Sequence, residues 1–286
     1  MANLKEIRSR ITSVGSTMQI TSAMKMVSAA KLKKAQDAIT AMRPYADKLT
    51  ELLQNLSATL EGDSGSVFAE QREVNKVLIV AITSNRGLCG AFNANVIKET
   101  QRVAKEAYAA KEVNVVTIGK KGNDILSKSF PVAFNNNDIF DDLTFDNAAA
   151  IAETLMQHYA EGKYDKIVLM YNSFKNAATQ IVKTEDFLPI STAQENSGAA
   201  MDYIFEPTKV EIVETLIPKS LKTQLYKAIR DSFASEHGAR MTAMHKATDN
   251  AAELKAELTL TYNKARQAAI TSEILEIVGG AEALNG

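Results

Sequence analysis

Residues 32–60 read LKKAQDAITAMRPYADKLTELLQNLSATL. Their apolar positions, Leu32, Ala35, Ile39, Met42, Ala46, Leu49, Leu53, Leu56 and Leu60, alternate steps of 3 and 4 without a miss. Residues three and four apart share one helix face, so this repeat predicts a coiled-coil seam. The preceding stretch has its own seam, Leu4, Ile7, Ile11, Val14 and Met18, with a register slip expected between Met18 and Leu32. Gly15 costs roughly 1 kcal/mol inside a helix. Pro44, which has no N–H to donate, must kink the helix or lie on a free face.

The other end of the chain repeats the pattern. Met244, Ala247, Ala251, Leu254, Leu258, Thr261, Ala265, Ala268, Ser272 and Leu275 again alternate 3 and 4, and their small side chains allow close approach. Upstream, Val213, Ile217, Leu221, Leu225, Ile229 and Phe233 step by 4, which drifts around a helix. Gly279 and Gly280 are expected to stop or fray the last turn. The middle differs: Val77–Thr83 is a continuous apolar run closed by Ser84-Asn85-Arg86-Gly87. Helical pattern over 91–111, the run Val113–Ile118, a turn at Gly119–Gly122, helical pattern near 146–161 and the run Lys166–Tyr171 follow. Such alternation argues βαβ units and a mainly parallel sheet. Thr179–Pro189 reads as an edge strand, and 135–142 and 192–200 as polar loops.

The fold expected is therefore α/β: a long antiparallel α-helical coiled coil from the terminal segments 1–60 and 208–286, with a Rossmann-like α/β domain inserted over 61–207. At 1.5 Å per residue the helices would span ~90 and ~105 Å, a rod on a globular foot. Joined near residues 60 and 208, they set Met1 opposite about residue 267. Roughly the last 15–20 residues then lack a partner helix. They contain Ile270, Ile274, Leu275, Ile277, Val278 and Leu284. A lone apolar helix in water is not stable, so this end is expected inside another protein. Its apolar residues are read as spread around the helix, which suits a collar around a turning axle.

Of 286 residues, 45% are hydrophobic and 23% charged, which excludes a disordered chain. Glycine and proline, 13 and 5, are scarce, as long helices require. A net charge of −1 argues against wholesale nucleic-acid binding. No apolar run reaches the ~18 residues of a membrane span. Charge is unevenly placed: residues 1–36 hold seven Lys/Arg against Glu6 alone, either a solvated face or a surface for an acidic partner. The single cysteine, Cys89, precludes an intrachain disulfide and points to a reducing compartment.

Ser84–Gly90 follows a strand and precedes a helix, where doubly wound folds bind phosphates. It has neither the spacing G-x-G-x-x-G nor the G-K-[ST] of a P-loop, so it reads as a tight structural turn with Cys89 buried in it. His158, His237 and His245 form no metal-ligand spacing, and pairs such as Asp141-Asp142 and Glu185-Asp186 sit in loop-like sequence. No catalytic, cofactor or metal constellation is expected. Met24 and Met26, two apart, cannot share a face, so at least one must be exposed.

Three blocks then carry a resemblance over essentially the full length. They are Lys5–Ile11 with Ile20–Val27 and Arg43–Ala46; Arg86–Gly90 with Asn93; and Glu236–Met244, Ala247–Ala251, Tyr262–Gln267 and Ile270–Ala281. The chain resembles the gamma subunit of F-type ATP synthases, of bacterial type. The resemblance implies a non-catalytic rotor shaft carrying torque between a membrane ion-driven ring and a catalytic hexamer. Partners would be the alpha and beta subunits, the epsilon subunit and the ring of c subunits. It implies no cofactor, no nucleic acid and no direct membrane insertion. It assigns partner contacts to Met24, Lys25, Arg240, Arg266 and Gln267 at catalytic-subunit loops. Phe205 and Glu206 would lie near the ring, and Ile270, Ile274, Ile277 and Val278 in the collar. The family pattern starts at Met1, so no import leader is expected, and a peripheral place on the cytoplasmic face of a bacterial inner membrane follows. A nucleotide-binding enzyme using the 84–90 loop and an unrelated coiled-coil tether are the rival readings.

Overall fold

The computed structural model describes residues 4–58, 67–190 and 209–285. In chain order the elements are α1 (Leu4–Ala58), β1 (Lys76–Ile82), α2 (Phe92–Glu106), β2 (Glu112–Ile118), α3 (Lys120–Leu126), β3 (Val132–Asn136), a 3-10 turn (Asp138–Phe140), α4 (Phe145–Ala160), β4 (Lys166–Phe174), β5 (Gln180–Leu188) and α5 (Lys209–Asn285). The chain forms two compact units, residues 1–28 with 241–286, and residues 29–240.

The larger unit holds one five-stranded sheet in the order β3-β2-β1-β4-β5. β1 pairs in parallel with β2 and β4, and β2 with β3, while β5 closes the sheet as an antiparallel edge. Every β1 residue after Lys76 is buried, as expected of a central strand covered on both faces. Because strand side chains alternate, Leu78, Val80 and Ile82 enter one core, with α4 residues Ala152 and Leu155 and α5 residues Leu221, Leu225 and Ile229. Val77, Ile79 and Ala81 enter the other, with Val96, Ile97 and Val103 of α2 and Leu126 of α3. At ~25 cal/mol per Å2 of apolar surface, these two layers dominate the unit's stability.

In the same unit α1 carries Leu32, Ala35, Ile39, Ala46 and Leu49 inward, as the seam predicts. Pro44 lies on an exposed face and the helix runs through it. Arg43 donates to Phe174 O at 3.3 Å and stands 3.7 Å from the buried Asp231 carboxylate. Burial raises the Asp231 pKa, while Arg43, Lys227 and Lys183 oppose that shift.

In the smaller unit α1 and α5 are antiparallel: the Thr21 and Thr248 hydroxyls lie 2.8 Å apart, and Lys25 Nζ donates to His245 Nδ1 at 3.4 Å. A Cβ at Gly15 would meet Lys255 at 3.7 Å, ordinary contact, so this glycine suits the crossing without being forced by it.

Several expectations need correcting. No register slip separates Met18 from Leu32. Thr21 and Ser28 are buried and Lys25 half-buried, so they continue the 3,4 alternation as polar seam residues, which an apolar count misses. On α5 the seam shares Met244, Ala247, Ala251, Leu258 and Ala265 with the reading but also takes Thr248, Lys255, Tyr262 and Ala269; Leu254, Thr261 and Ala268 are exposed. A step of 3 then 4 and one of 4 then 3 differ by one residue, and long polar stems cover apolar surface as well as leucine does. Gly279 and Gly280 do not end α5, which continues to Asn285. The 135–142 segment is not a loop throughout: β3 reaches Asn136 and the 3-10 turn follows. The Gly119–Gly122 turn is largely the start of α3, and α2 stops at Glu106. The 192–200 segment, Leu60, Phe205 and Glu206 lie outside the described residues.

Gly119 joins β2 to α3 at φ 104°, and a Cβ there would stand 2.3 Å from Thr83 O. Gly119→Ala is expected to destabilise the chain by more than ~3 kcal/mol, from left-handed strain plus a clash with backbone. Gly87, with nothing within 4 Å of a Cβ, should accept alanine at little cost. Denaturant midpoints of the two variants check this, and equal midpoints would contradict it. A second expectation concerns acid. Burial pushes the His237 imidazole down to about 4, helped by Lys31 and Arg240. The unfolded chain protonates this histidine near pH 6.5 while the folded one does not, so stability is lost as pH falls from about 6.5 to 4. His237→Phe should flatten that part of the stability curve, and an unchanged slope would refute it.

Candidate partner-binding surfaces and the filled crevice

Doubly wound sheets bind ligands at the carboxyl ends of the strands, where the strand order reverses. Here that point lies between β1 and β4. α5 fills it. Ser235 Oγ donates to Asn172 O at 3.0 Å, Asn172 Nδ2 donates to Phe92 O at 3.1 Å, and Ser235 and Asn172 are fully buried. Ala239 packs with Cys89 and Phe92. Gly238 permits the approach, since a Cβ there would come within 3.2 Å of Ala177 Cα.

The 84–90 loop is tied to itself, as its reading as a structural turn requires. Ser84 N donates to Asn93 Oδ1 at 2.9 Å and Ser84 Oγ to Arg86 O at 2.7 Å. Asn93 Nδ2 donates to Ser84 Oγ at 2.9 Å and to Cys89 Sγ at 3.2 Å. Burial raises the Cys89 thiol pKa, which leaves it a poor nucleophile. The Ser84 N–H and the Ser84 and Asn93 side chains are thus engaged within this strand-to-helix turn. Among the described residues no group of three or more His, Cys, Asp or Glu could hold a metal, and no helix is long and apolar enough to cross a membrane.

Arg240, expected at a partner, is turned into the chain. It is 7% exposed, pairs with Glu236 and donates to the Gly87 and Arg86 carbonyls. The smaller unit carries the other expected residues. Met24 and Lys25 are half-buried beside the α5 seam, and Met26 is exposed, so the two methionines do face differently. Arg266 and Gln267 are exposed on α5. Gln267 also lines an open groove of about 780 Å3 with Met18, Lys255, Leu260 and Lys264. Sequence reading missed that groove, because Met18 and α5 are distant in the chain.

Ile270, Ile274, Leu275, Ile277 and Val278 are all exposed, Ile277 at 71%. These apolar side chains are covered by no described part of the chain. Their arrangement does not agree with all-round apolarity. At 3.6 residues per turn, Ile270, Ile274, Ile277 and Val278 fall within about 100° of one another, with Leu275 roughly 60° beyond. They form one broad stripe, as a helix lying against a partner carries.

Comparison with known proteins matches these features. A family model described as ATP synthase covers residues 3–284. The ATP synthase gamma chain of Flavobacterium johnsoniae is 75% identical over 100% of both chains. A central stalk/c-ring chain of the Tetrahymena thermophila mitochondrial ATP synthase is 29% identical, with a TM-score of 0.61 over 80% of this chain and 99% of that one. A chain from the Euglena gracilis mitochondrial OSCP/F1/c-ring structure, at 23% identity, shares the fold with a TM-score of 0.75 over 98% and 94%. The seams, the inserted parallel sheet and these full-length matches agree: the chain belongs to the ATP synthase gamma chain family.

Proposed function

We propose that this chain is the central rotor shaft of a bacterial F-type ATP synthase, carrying torque between the ring of c subunits and the alpha–beta catalytic hexamer. The observation that carries this reading is the exposed stripe Ile270–Val278, on a helix end with no described α1 residue opposite it. Exposed apolar surface of this kind needs a protein partner. Because it is a stripe, the helix presents different faces to subunits around it. Each catalytic site then meets a different contact at each angle, which is how rotation couples to nucleotide affinity. Residues 1–60 and 208–286 serve as the shaft and 61–207 as the domain that receives torque from the ring and the epsilon subunit.

The chain supplies no catalytic group. α5 occupies the crevice where a doubly wound sheet would take a nucleotide, and the 84–90 loop uses its polar groups internally. Met24, Lys25, Arg266 and Gln267 face the catalytic subunits, and the basic bias of residues 1–36 suits an acidic loop there. Phe205 and Glu206 lie near the ring. Association is peripheral, on the cytoplasmic face of the inner membrane.

Three outcomes test this. Full-length chain titrated with MgATP should show no rise in unfolding temperature; a dose-dependent rise would restore the nucleotide-binding reading. Ile277→Asp should lower the yield of assembled complex at least about tenfold, while Ile277→Leu assembles normally. An unpaired buried charge costs more than the ~1.4 kcal/mol that a tenfold change requires. Equal yields would remove the stripe from the interface. Arg266→Ala with Gln267→Ala should slow hydrolysis and synthesis roughly fivefold at unchanged subunit composition, the effect of about one net hydrogen bond. Unchanged rates would remove both residues from the functional surface.

A further inference from the structure

The loop that closes β1 is held in an unfavourable shape. Leu88 has φ 63°, in the left-handed region that β-carbon-bearing residues avoid, and the residue is 66% exposed. Arg86 beside it is exposed as well. A loop without constraint would relax and fold Leu88 away. What prevents this comes from α5. The Arg240 guanidinium donates to Gly87 O and to Arg86 O, the two carbonyls immediately before Leu88. Glu236, one turn earlier on the same helix, pairs with Arg240 and fixes its direction. Both residues are 7% exposed. Arg86 and Lys31 are the other charges facing Glu236. Planar fork geometry matters here, since one guanidinium can serve two carbonyls and a carboxylate, which an ammonium cannot do with the same directions. On the far side the loop is closed by the Ser84–Asn93–Cys89 bonds, with Cys89 buried beneath it.

We propose that Arg240 is a positioning residue: locked by Glu236, it clamps the Arg86 and Gly87 carbonyls and so presents Leu88 outward on a preorganised loop. Arg240 then acts on a partner subunit through Leu88 and not by its own contact. The proposal deepens the shaft reading, on which only its hydrolysis readout depends.

Cys89, the chain's single cysteine, reports the clamp directly. In the assembled complex, maleimide labelling of Cys89 on this subunit is expected to be slow. Arg240→Ala should accelerate it at least tenfold, Arg240→Lys and Glu236→Gln by intermediate factors, each read well below that variant's own unfolding temperature, since Arg240→Ala also leaves the buried Glu236 unpaired. Should Arg240→Ala fail to assemble, the two milder variants carry the test. For hydrolysis, Arg240→Ala and Leu88→Ala should each lower the rate, and the double variant should be no slower than the worse single one, because both remove the same presented side chain. Unchanged labelling in every clamp variant overturns the clamp, whatever the fate of the shaft reading. Accelerated labelling with independent, multiplying losses of rate overturns the route through Leu88 and returns Arg240 to direct partner contact. Accelerated labelling with no loss of rate in either single variant overturns the functional role of the loop.

Discussion

The functional account depends on the register in which α1 meets α5 in the smaller unit. Three contacts define it. The Thr21 and Thr248 hydroxyls are 2.8 Å apart, Lys25 Nζ reaches His245 Nδ1, and Gly15 faces Lys255. In each pair the residue numbers add to 269 or 270, the mark of a single antiparallel alignment. Leu4, the first described residue of α1, then faces residues near 265, and among the described residues no part of α1 lies opposite α5 beyond there. A seam of alanine and leucine alone would tolerate a slip of one heptad. Polar residues in the seam do not, because a slip strands their hydrogen-bonding groups. The two threonines thus set how much of α5 is left over for a partner.

The larger unit makes a different use of an old architecture. Its strand order is that of a sheet that binds a ligand at the switch point, yet a helix of the same chain lies there. Ser235 Oγ donates to Asn172 O inside the crevice, and Gly238 leaves room for the β4–β5 hairpin to come close. The cost is polar burial with incomplete satisfaction: neither ring nitrogen of His237 has a partner, and the ring sits edge-on to Phe233 at 4.5 Å. Burial keeps it neutral, which is the form this apolar contact accepts.

Much of this was legible in the residues. The β1 run, the helical periods around it and the edge strand follow from period and composition alone. So do the buried Leu32–Leu49 seam and the unpartnered end of α5. What escaped did so for definable reasons. Thr21, Lys25 and Ser28 hold seam positions, but a hydrophobicity count treats them as gaps. Thr248, next to the apolar Ala247, meets α1 through its hydrogen bond to Thr21, which apolarity does not signal. Gly279 and Gly280 signal a helix end, yet the helix continues through them. Arg240 was assigned through resemblance to a partner surface, and only the fold shows its guanidinium against Gly87 and Arg86, some 150 residues earlier in the chain.

The central claim is that α1 and α5 turn together as one axle in this register. A Thr21→Cys and Thr248→Cys pair placed in the assembled enzyme tests it most directly, because the two hydroxyls already lie close enough for a disulfide to replace them with small adjustment. The account predicts rapid bond formation on oxidation and ATP hydrolysis at the rate of the reduced enzyme, since helices that move as one lose nothing when joined. Failure to form the bond, or hydrolysis that stops on oxidation and returns with reductant, would contradict it.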